Sequence, residues 1–182
     1  MKREVRGWRR EGLRARCARV RLFLCDVDGV LTDGAVYMGG AREMKRFNIR
    51  DGLGLRLLQR AGIRVGWISN RPSPATELRA QDLRVDYLHQ AQDNKVAAGE
   101  AILAQAGLEW RQVCYVGDDI VDLGMLRRAG LAVAVGDARP EARRLAHYVT
   151  RNPGGHGAVR EIAELILKTQ KKWVPLVADY ST

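Results

Sequence analysis

No stretch of this chain comes near the roughly 18 uninterrupted apolar residues of a membrane-spanning helix, and its first residues hold no apolar segment of the signal-peptide kind. The expectation is a soluble, cytoplasmic protein with no membrane partner. Cysteine is scarce and odd in number: Cys17, Cys25 and Cys114. Cys25 and Cys114 lie in apolar, strand-like runs and no pair has metal-ligand spacing, so reduced, buried thiols are expected rather than a disulfide framework or a thiolate metal centre. The three histidines, His89, His147 and His156, form no i, i+4 pair, which argues against an imidazole metal site. His156 stands in a glycine-rich turn and reads as a loop residue. There is no internal repeat and no low-complexity run.

Negative charge is thin at the start of the chain. Residues 1–21 hold nine Lys or Arg against Glu4 and Glu11, and this segment carries most of the net charge of +10. Such an arm attracts anions, but its only aromatic residue is Trp8. A base-stacking surface interleaves aromatics with cations, so nucleic acid is not an expected partner and a solvated or subunit-packing arm is. At 182 residues and 46% hydrophobic, the chain is long enough for one well-buried core and short for two. The expected division is a basic arm over residues 1–19, one domain over 20–169 and a C-terminal tail over 170–182.

After the arm, short β-rich runs alternate with helix-length amphipathic segments, the pattern of an α/β fold: a Rossmann-like parallel sheet with helices on both faces. Strands are predicted at 21–25, 64–68, 113–116, 131–135 and, weakly, 148–149. Helices are predicted at 51–61, 93–106, 119–129, 140–146 and 158–168, with Gly62, Gly107 and Gly130 as stops. One segment breaks the alternation: Ala35-Val36-Tyr37-Met38, then Gly39-Gly40, then Met44 to Phe47, which reads as a small inserted β-hairpin.

The richest stretch is Asp26-Val27-Asp28-Gly29-Val30-Leu31-Thr32, which follows the apolar run Leu22-Phe23-Leu24-Cys25. Two carboxylates at the end of a buried strand repel each other unless a cation lies between them, so the motif suits a hard metal ion and phosphoryl chemistry. In open parallel sheets ligands bind beyond the carboxyl ends of the strands. There the first strand delivers Asp26 and Asp28, the second Ser69-Asn70-Arg71, and the third Gly117-Asp118-Asp119, while Lys95 starts a helix whose N-terminus favours anions. Alone, each has a plainer reading: a turn for Asp26 and Asp28, a helix cap for Asp118-Asp119, a solvated side chain for Lys95. Together they equip a chain to bind Mg²⁺ and a phosphate.

These motifs resemble the four motifs of the haloacid dehalogenase superfamily of phosphatases. The chain is more closely similar to the branch of 3-deoxy-D-manno-octulosonate 8-phosphate phosphatases through the hairpin, Phe47-Asn48-Ile49-Arg50-Asp51-Gly52 and the late Gly154-Gly155-His156-Gly157-Ala158-Val159-Arg160-Glu161. The similarity spans roughly residues 20 to 168 and implies a capless fold of that superfamily, with the hairpin as its small insertion, assembled as a homotetramer. It implies that Asp26 is the nucleophile, Asp28 the acid and then the base, and Ser69 and Lys95 the ligands of phosphoryl oxygens. Mg²⁺ would be held by Asp26, the Asp28 carbonyl and Asp118, with Asp119 behind them. Substrate contacts would come from Asp28, Asn48, Ile49, Arg50, Asp51, Gly52, Arg56, Ser69, Asn70, Arg71, Arg79 and Lys95. The substrate implied is an acidic sugar phosphate: the eight-carbon acid of lipopolysaccharide biosynthesis first, a nine-carbon sialic or deaminated sialic acid 9-phosphate second. A receiver-like phospho-aspartate switch and a non-catalytic assembly domain are the readings from other classes. The chain departs from the family pattern at Asn70, where a glycine is usual; Asn tolerates left-handed backbone well enough to keep the loop.

Overall fold

The computed structural model describes residues 12–39, 42–92 and 94–180, the side chain of Arg42 excepted. Arm residues 1–11, the hairpin tip at 40–41, the expected helix start at Asp93 and residues 181–182 lie outside them. Strand β1 (Leu22–Cys25) is buried at every position, as a strand covered on both faces must be. It pairs in parallel with β4 (Arg64–Ser69) and with β6 (Val113–Gly117). Beyond β4 lies β5 (Tyr87–Gln90); beyond β6 lie β7 (Leu131–Ala134) and β8 (Tyr148–Val149), which gives a six-stranded parallel sheet in the order β5-β4-β1-β6-β7-β8. This is the α/β fold expected. The chain winds outward from β1 in one direction and then, from β6, in the other, so a crevice opens beyond the carboxyl ends of β1 and β6.

The helices that cover the sheet are α1 (Leu13–Arg19), α2 (Ile49–Arg60), α3 (Pro74–Asp82), α4 (Lys95–Ala106), α5 (Leu123–Leu126), α6 (Pro140–Leu145), α7 (Ala158–Thr169) and α8 (Trp173–Ala178). In α7, Val159, Ile162, Ala163, Ile166 and Leu167 are buried, an i, i+3, i+4, i+7 stripe that packs along α2. Antiparallel β2 (Tyr37–Gly39) and β3 (Arg42–Met44) form the expected hairpin. Its apolar side chains face outward, with Tyr37 49%, Met38 79% and Met44 63% exposed. All three cysteines are buried and free.

The expected boundaries need correction at both ends. Residues 13–19 are a helix of the domain rather than part of an arm: Cys17 is fully buried, and buried Arg16 donates from Nη1 to the Gly130 carbonyl at 2.7 Å. The arginines of this segment hid the apolar face made by Leu13, Cys17 and Val20, which recur at helical spacing. The tail is docked as well. Lys172 Nζ donates to the Ala61 carbonyl at 2.7 Å, and the Trp173 ring lies 5.2 Å from the Arg160 guanidinium and 5.1 Å from Lys168 Nζ. Helix α3 and strand β5 were not foreseen, and the helix expected at 119–129 is a 3-10 turn, Ile120–Asp122, followed by the short α5.

Candidate active site

Cys25 of β1 is level with Trp67 of β4 and Val116 of β6, so Asp26, Ser69 and Asp118 leave the sheet within a residue or two of one another at a single edge. With Asp28, Asn70, Arg71, Lys95, Asp119 and Val121 they line an open cleft of about 210 Å³. Asp26 is buried; its Oδ1 accepts from Val27 N at 2.7 Å and its Oδ2 lies 2.6 Å from Lys95 Nζ. Lys95 is the first residue of α4, whose N-cap Asn94 accepts from Val96 N at 2.9 Å. Ser69 Oγ takes the Arg71 N–H and donates to the Arg71 carbonyl, both at 3.1 Å, which shapes the turn after β4.

The acids crowd one another. Burial, then the charges of Asp122, Asp26 and Asp119, push Asp118 up to about 8, with Lys95 opposing. Burial, then Asp122, push Asp26 up to about 6 against the pull of Lys95. Burial alone would lower the pKa of Lys95, but Asp122 and Asp26 outweigh it and raise it, so the ammonium is firmly charged. Among the described residues, Asp26, Asp118 and Asp122 each offer an oxygen within 4.8 Å of the others. An oxygen-rich, anionic cluster that takes up protons for want of a counter-charge fits a hard divalent cation.

Asp122 is the acid that sequence reasoning missed. The Asp119 carboxylate accepts from Ile120 N at 2.6 Å and caps the 3-10 turn, outside the acid cluster. Asp122 stands four residues after Asp118, about one helical turn on, and that spacing was the available signal. Its Oδ1 accepts from Lys95 Nζ at 2.8 Å and from the buried Tyr115 hydroxyl at 2.6 Å; its Oδ2 accepts from Asp118 N at 2.9 Å. With its oxygens taken, Asp122 orients Lys95 and the Asp118 backbone and leaves Asp26 and Asp118 to face the cleft.

The loop after β1 is held by close backbone approach. Gly29 has φ +87°, and a Cβ there would collide with the Asp118 carboxylate; a Cβ at Gly154 would collide with the Gly29 carbonyl. The late glycine-rich run therefore packs against the loop that carries Asp28.

The sequence matches the haloacid dehalogenase-like hydrolase family over residues 70–162. The 3-deoxy-D-manno-octulosonate 8-phosphate phosphatase KdsC of Yersinia pestis is 46% identical over 158 residues, 86% of this chain and 84% of that protein. Its counterpart in Escherichia coli K12 is 43% identical over 159 residues, 87% of this chain and 85% of that one. The chain belongs to this branch of the haloacid dehalogenase-like hydrolases. A solved structure from Moraxella catarrhalis, a phosphatase of the same name in complex with a magnesium ion, a phosphate ion and a KDO molecule, superposes with a TM-score of 0.89 at 36% identity, covering 92% of this chain and 97% of that one.

Against that family background, the expected substrate residues divide in two. Asp28, Ser69, Asn70, Arg71 and Lys95 line the cleft. The remainder do not. Asn48 caps α2, accepting from Arg50 N at 2.8 Å, and Ile49 is 74% exposed. Asp51 is buried and accepts from Gly157 N at 3.1 Å and Arg160 N at 2.7 Å, so it serves the N-terminus of α7. Gly52 gives the Arg79 guanidinium room to lie against α2, where Nη1 pairs with Asp82 at 2.5 Å. Arg56 donates to Gln59 and to the Leu83 carbonyl. Arg50 and His156 line a separate groove of about 580 Å³ beside α7. At Asn70 the backbone is not left-handed, so the departure from the usual glycine demands no special conformation. Among the described residues, three polar atoms at the cleft are buried without a hydrogen-bond partner: Asn70 Oδ1, Arg71 Nη1 and Asp28 Oδ1, the last of which lies 2.8 Å from Lys45 Nζ in an ion pair. Arg71 Nη2 is paired with Glu43 of the hairpin at 2.5 Å.

Proposed function

We propose that this protein is a Mg²⁺-dependent phosphomonoesterase that hydrolyses 3-deoxy-D-manno-octulosonate 8-phosphate to the free sugar acid and phosphate, in the cytoplasmic synthesis of the lipopolysaccharide sugar. One observation carries the reading: a carboxylate, Asp26, stands at the switch point of the sheet with Lys95 2.6 Å from one oxygen and Asp118 and Asp28 around the same cleft. Asp26, Asp118 and the Asp28 carbonyl are the groups to hold Mg²⁺, which when bound supplies positive charge against the phosphoryl oxygens. Asp26 attacks phosphorus, forming an aspartyl phosphate as the bond to the sugar oxygen breaks, and Asp28 gives its proton to that oxygen. Water then attacks phosphorus while Asp28 takes a proton from that water, and the bond from phosphorus to Asp26 breaks, which frees the carboxylate and phosphate. Ser69 and Lys95 hold the phosphoryl oxygens throughout.

The unpartnered Arg71 Nη1 and Asn70 Oδ1 favour a polar substrate beyond the phosphate, since a buried polar atom without a partner costs about 1–3 kcal/mol. Arg71 pairs with Glu43 through Nη2 and leaves Nη1 for an anion of the substrate, a carboxylate being the anion besides phosphate that a guanidinium suits. A substrate lacking the carboxylate is therefore expected to lose about 2–4 kcal/mol of transition-state binding, roughly 30- to 1,000-fold in kcat/KM. Phosphate release from a panel of sugar phosphates tests this. Equal turnover of glucose 6-phosphate and the eight-carbon acid would defeat the substrate assignment.

The working unit in this proposal is a homotetramer. The cleft of one chain is small and open, and the exposed Tyr37, Met38 and Met44 of the hairpin offer an apolar surface beside it. Light scattering of active enzyme is expected to give four subunits. A fully active monomer at all concentrations would contradict it.

A further inference from the structure

The hairpin does more than stand beside the cleft, because the residue that follows β3 reaches into it. Lys45 Nζ hydrogen-bonds Asp28 Oδ2 at 2.9 Å and lies 2.8 Å from Asp28 Oδ1. It also donates to Thr76 Oγ1 at 3.2 Å and lies 3.8 Å from Glu43 Oε1. The lysine side chain is wholly buried, whereas that of Asp28 is 23% exposed and lines the cleft. Thr76, fully buried, belongs to the first turn of α3. Three separate elements thus meet on one ammonium: the hairpin, the loop after β1 and the start of α3.

A buried ammonium is costly unless paired and hydrogen-bonded, so this geometry is over-determined rather than a chance surface contact. Its consequence falls on Asp28. A carboxylate free at one end of a glycine-containing loop rotates about its terminal torsion, which is broad and roughly two-fold. Contacts from one cation to both oxygens fix that rotation. Proton transfer in a transition state needs the donor within hydrogen-bond reach and aligned, and small misplacements are heavily penalised. We propose that Lys45 is a positioning residue for this reaction: it sets the plane of the Asp28 carboxylate against the leaving oxygen and ties that plane to the inserted hairpin. The inference rests on the role of Asp28 given above. Nothing local in the sequence points to it, since Lys45 and Asp28 are 17 residues apart.

The test compares esters that differ in their need for a proton. A sugar alkoxide leaves poorly without one, whereas p-nitrophenyl phosphate leaves as a stabilised phenolate. In the Mg²⁺-loaded full chain, Lys45→Met is expected to lower kcat for the sugar phosphate about 100-fold and leave the aryl ester within about threefold, with little change in the sugar KM. In an Asp28→Asn background the same change should add almost nothing, because the two residues act as one unit. Equal losses on both esters would mean a merely structural role and would overturn the proposal. So would a loss confined to KM, which marks a substrate contact, or full additivity with Asp28→Asn. If Lys45→Met does not fold, Lys45→Gln takes the same measurements; if neither folds, Lys45 is a stability residue and the proposal falls. Wild-type enzyme that ignores the eight-carbon substrate but cleaves another alkyl phosphate defeats only the substrate assignment, and the split is then read on that ester. Wild-type enzyme that releases phosphate from no ester defeats both.

Discussion

Asp26→Asn is expected to fold, to bind Mg²⁺ more weakly and to lose at least about a thousandfold in kcat. The amide is nearly isosteric and keeps an oxygen for the Val27 N–H, now 2.7 Å from Asp26 Oδ1. Lys95 keeps its contact with Asp122 at 2.8 Å. What is lost is the anion that attacks phosphorus, and no neighbour replaces it. The effect on stability runs the other way. Burial and the charge of Asp122 raise the Asp26 pKa from 3.8 to about 6; for an acid raised on folding, the native state loses stability as pH rises through that window. Removing the carboxylate removes that loss. Metal-free Asp26→Asn should therefore melt at or above the wild type near pH 8, while its gain on adding Mg²⁺ shrinks. A verified preparation that keeps more than about a tenth of wild-type kcat would remove the covalent mechanism.

Which parts of this site were legible in the sequence follows from how far apart the interacting residues lie. Asp26, Asp28, Ser69, Lys95 and Asp118 stand directly at the ends or starts of strongly patterned elements, so strand and helix periodicity alone brings them to one edge. Helix α1 was obscured because arginines dominate its seven residues, while Leu13 and Cys17, with Val20 just beyond its end, are all that mark its apolar face. Strand β5 is four residues at the sheet edge, too short to show a period, and α3 begins at Ser73-Pro74, a start signal that was there to be read. Asp51 enters as a substrate contact through the resemblance alone; the partners it has in this chain, the backbone N–H groups of residues 157 and 160, are more than a hundred positions away and invisible to local pattern. Tyr115 appeared only as a strand residue, since its hydroxyl finds Asp122 through the turn that follows β6.

Chelation is expected to abolish turnover, Mg²⁺ to restore it, and Ca²⁺ to inhibit. The last outcome follows from size, because Ca²⁺ takes six to eight oxygens in a loose shell, whereas Mg²⁺ requires a tight octahedron, and in-line attack depends on close geometry. The pH dependence separates a metal site from a generic salt effect. In the metal-free protein, burial and neighbouring acids raise the Asp118 pKa from 3.8 to about 8. Between those values the folded chain holds a proton that the unfolded chain has released, so stability falls as pH rises across the window. Mg²⁺ must displace that proton in order to bind. Its stabilising effect should then be small near about pH 6 and grow to its full size above about pH 8, where Asp118 is already ionised. Thermal melting in excess chelator and in excess Mg²⁺ across this range measures it: the metal-free curve should fall with pH and the two curves should diverge. Full activity in chelator, or a melting gain from Mg²⁺ that is the same at every pH, would contradict a cation held by Asp26 and Asp118.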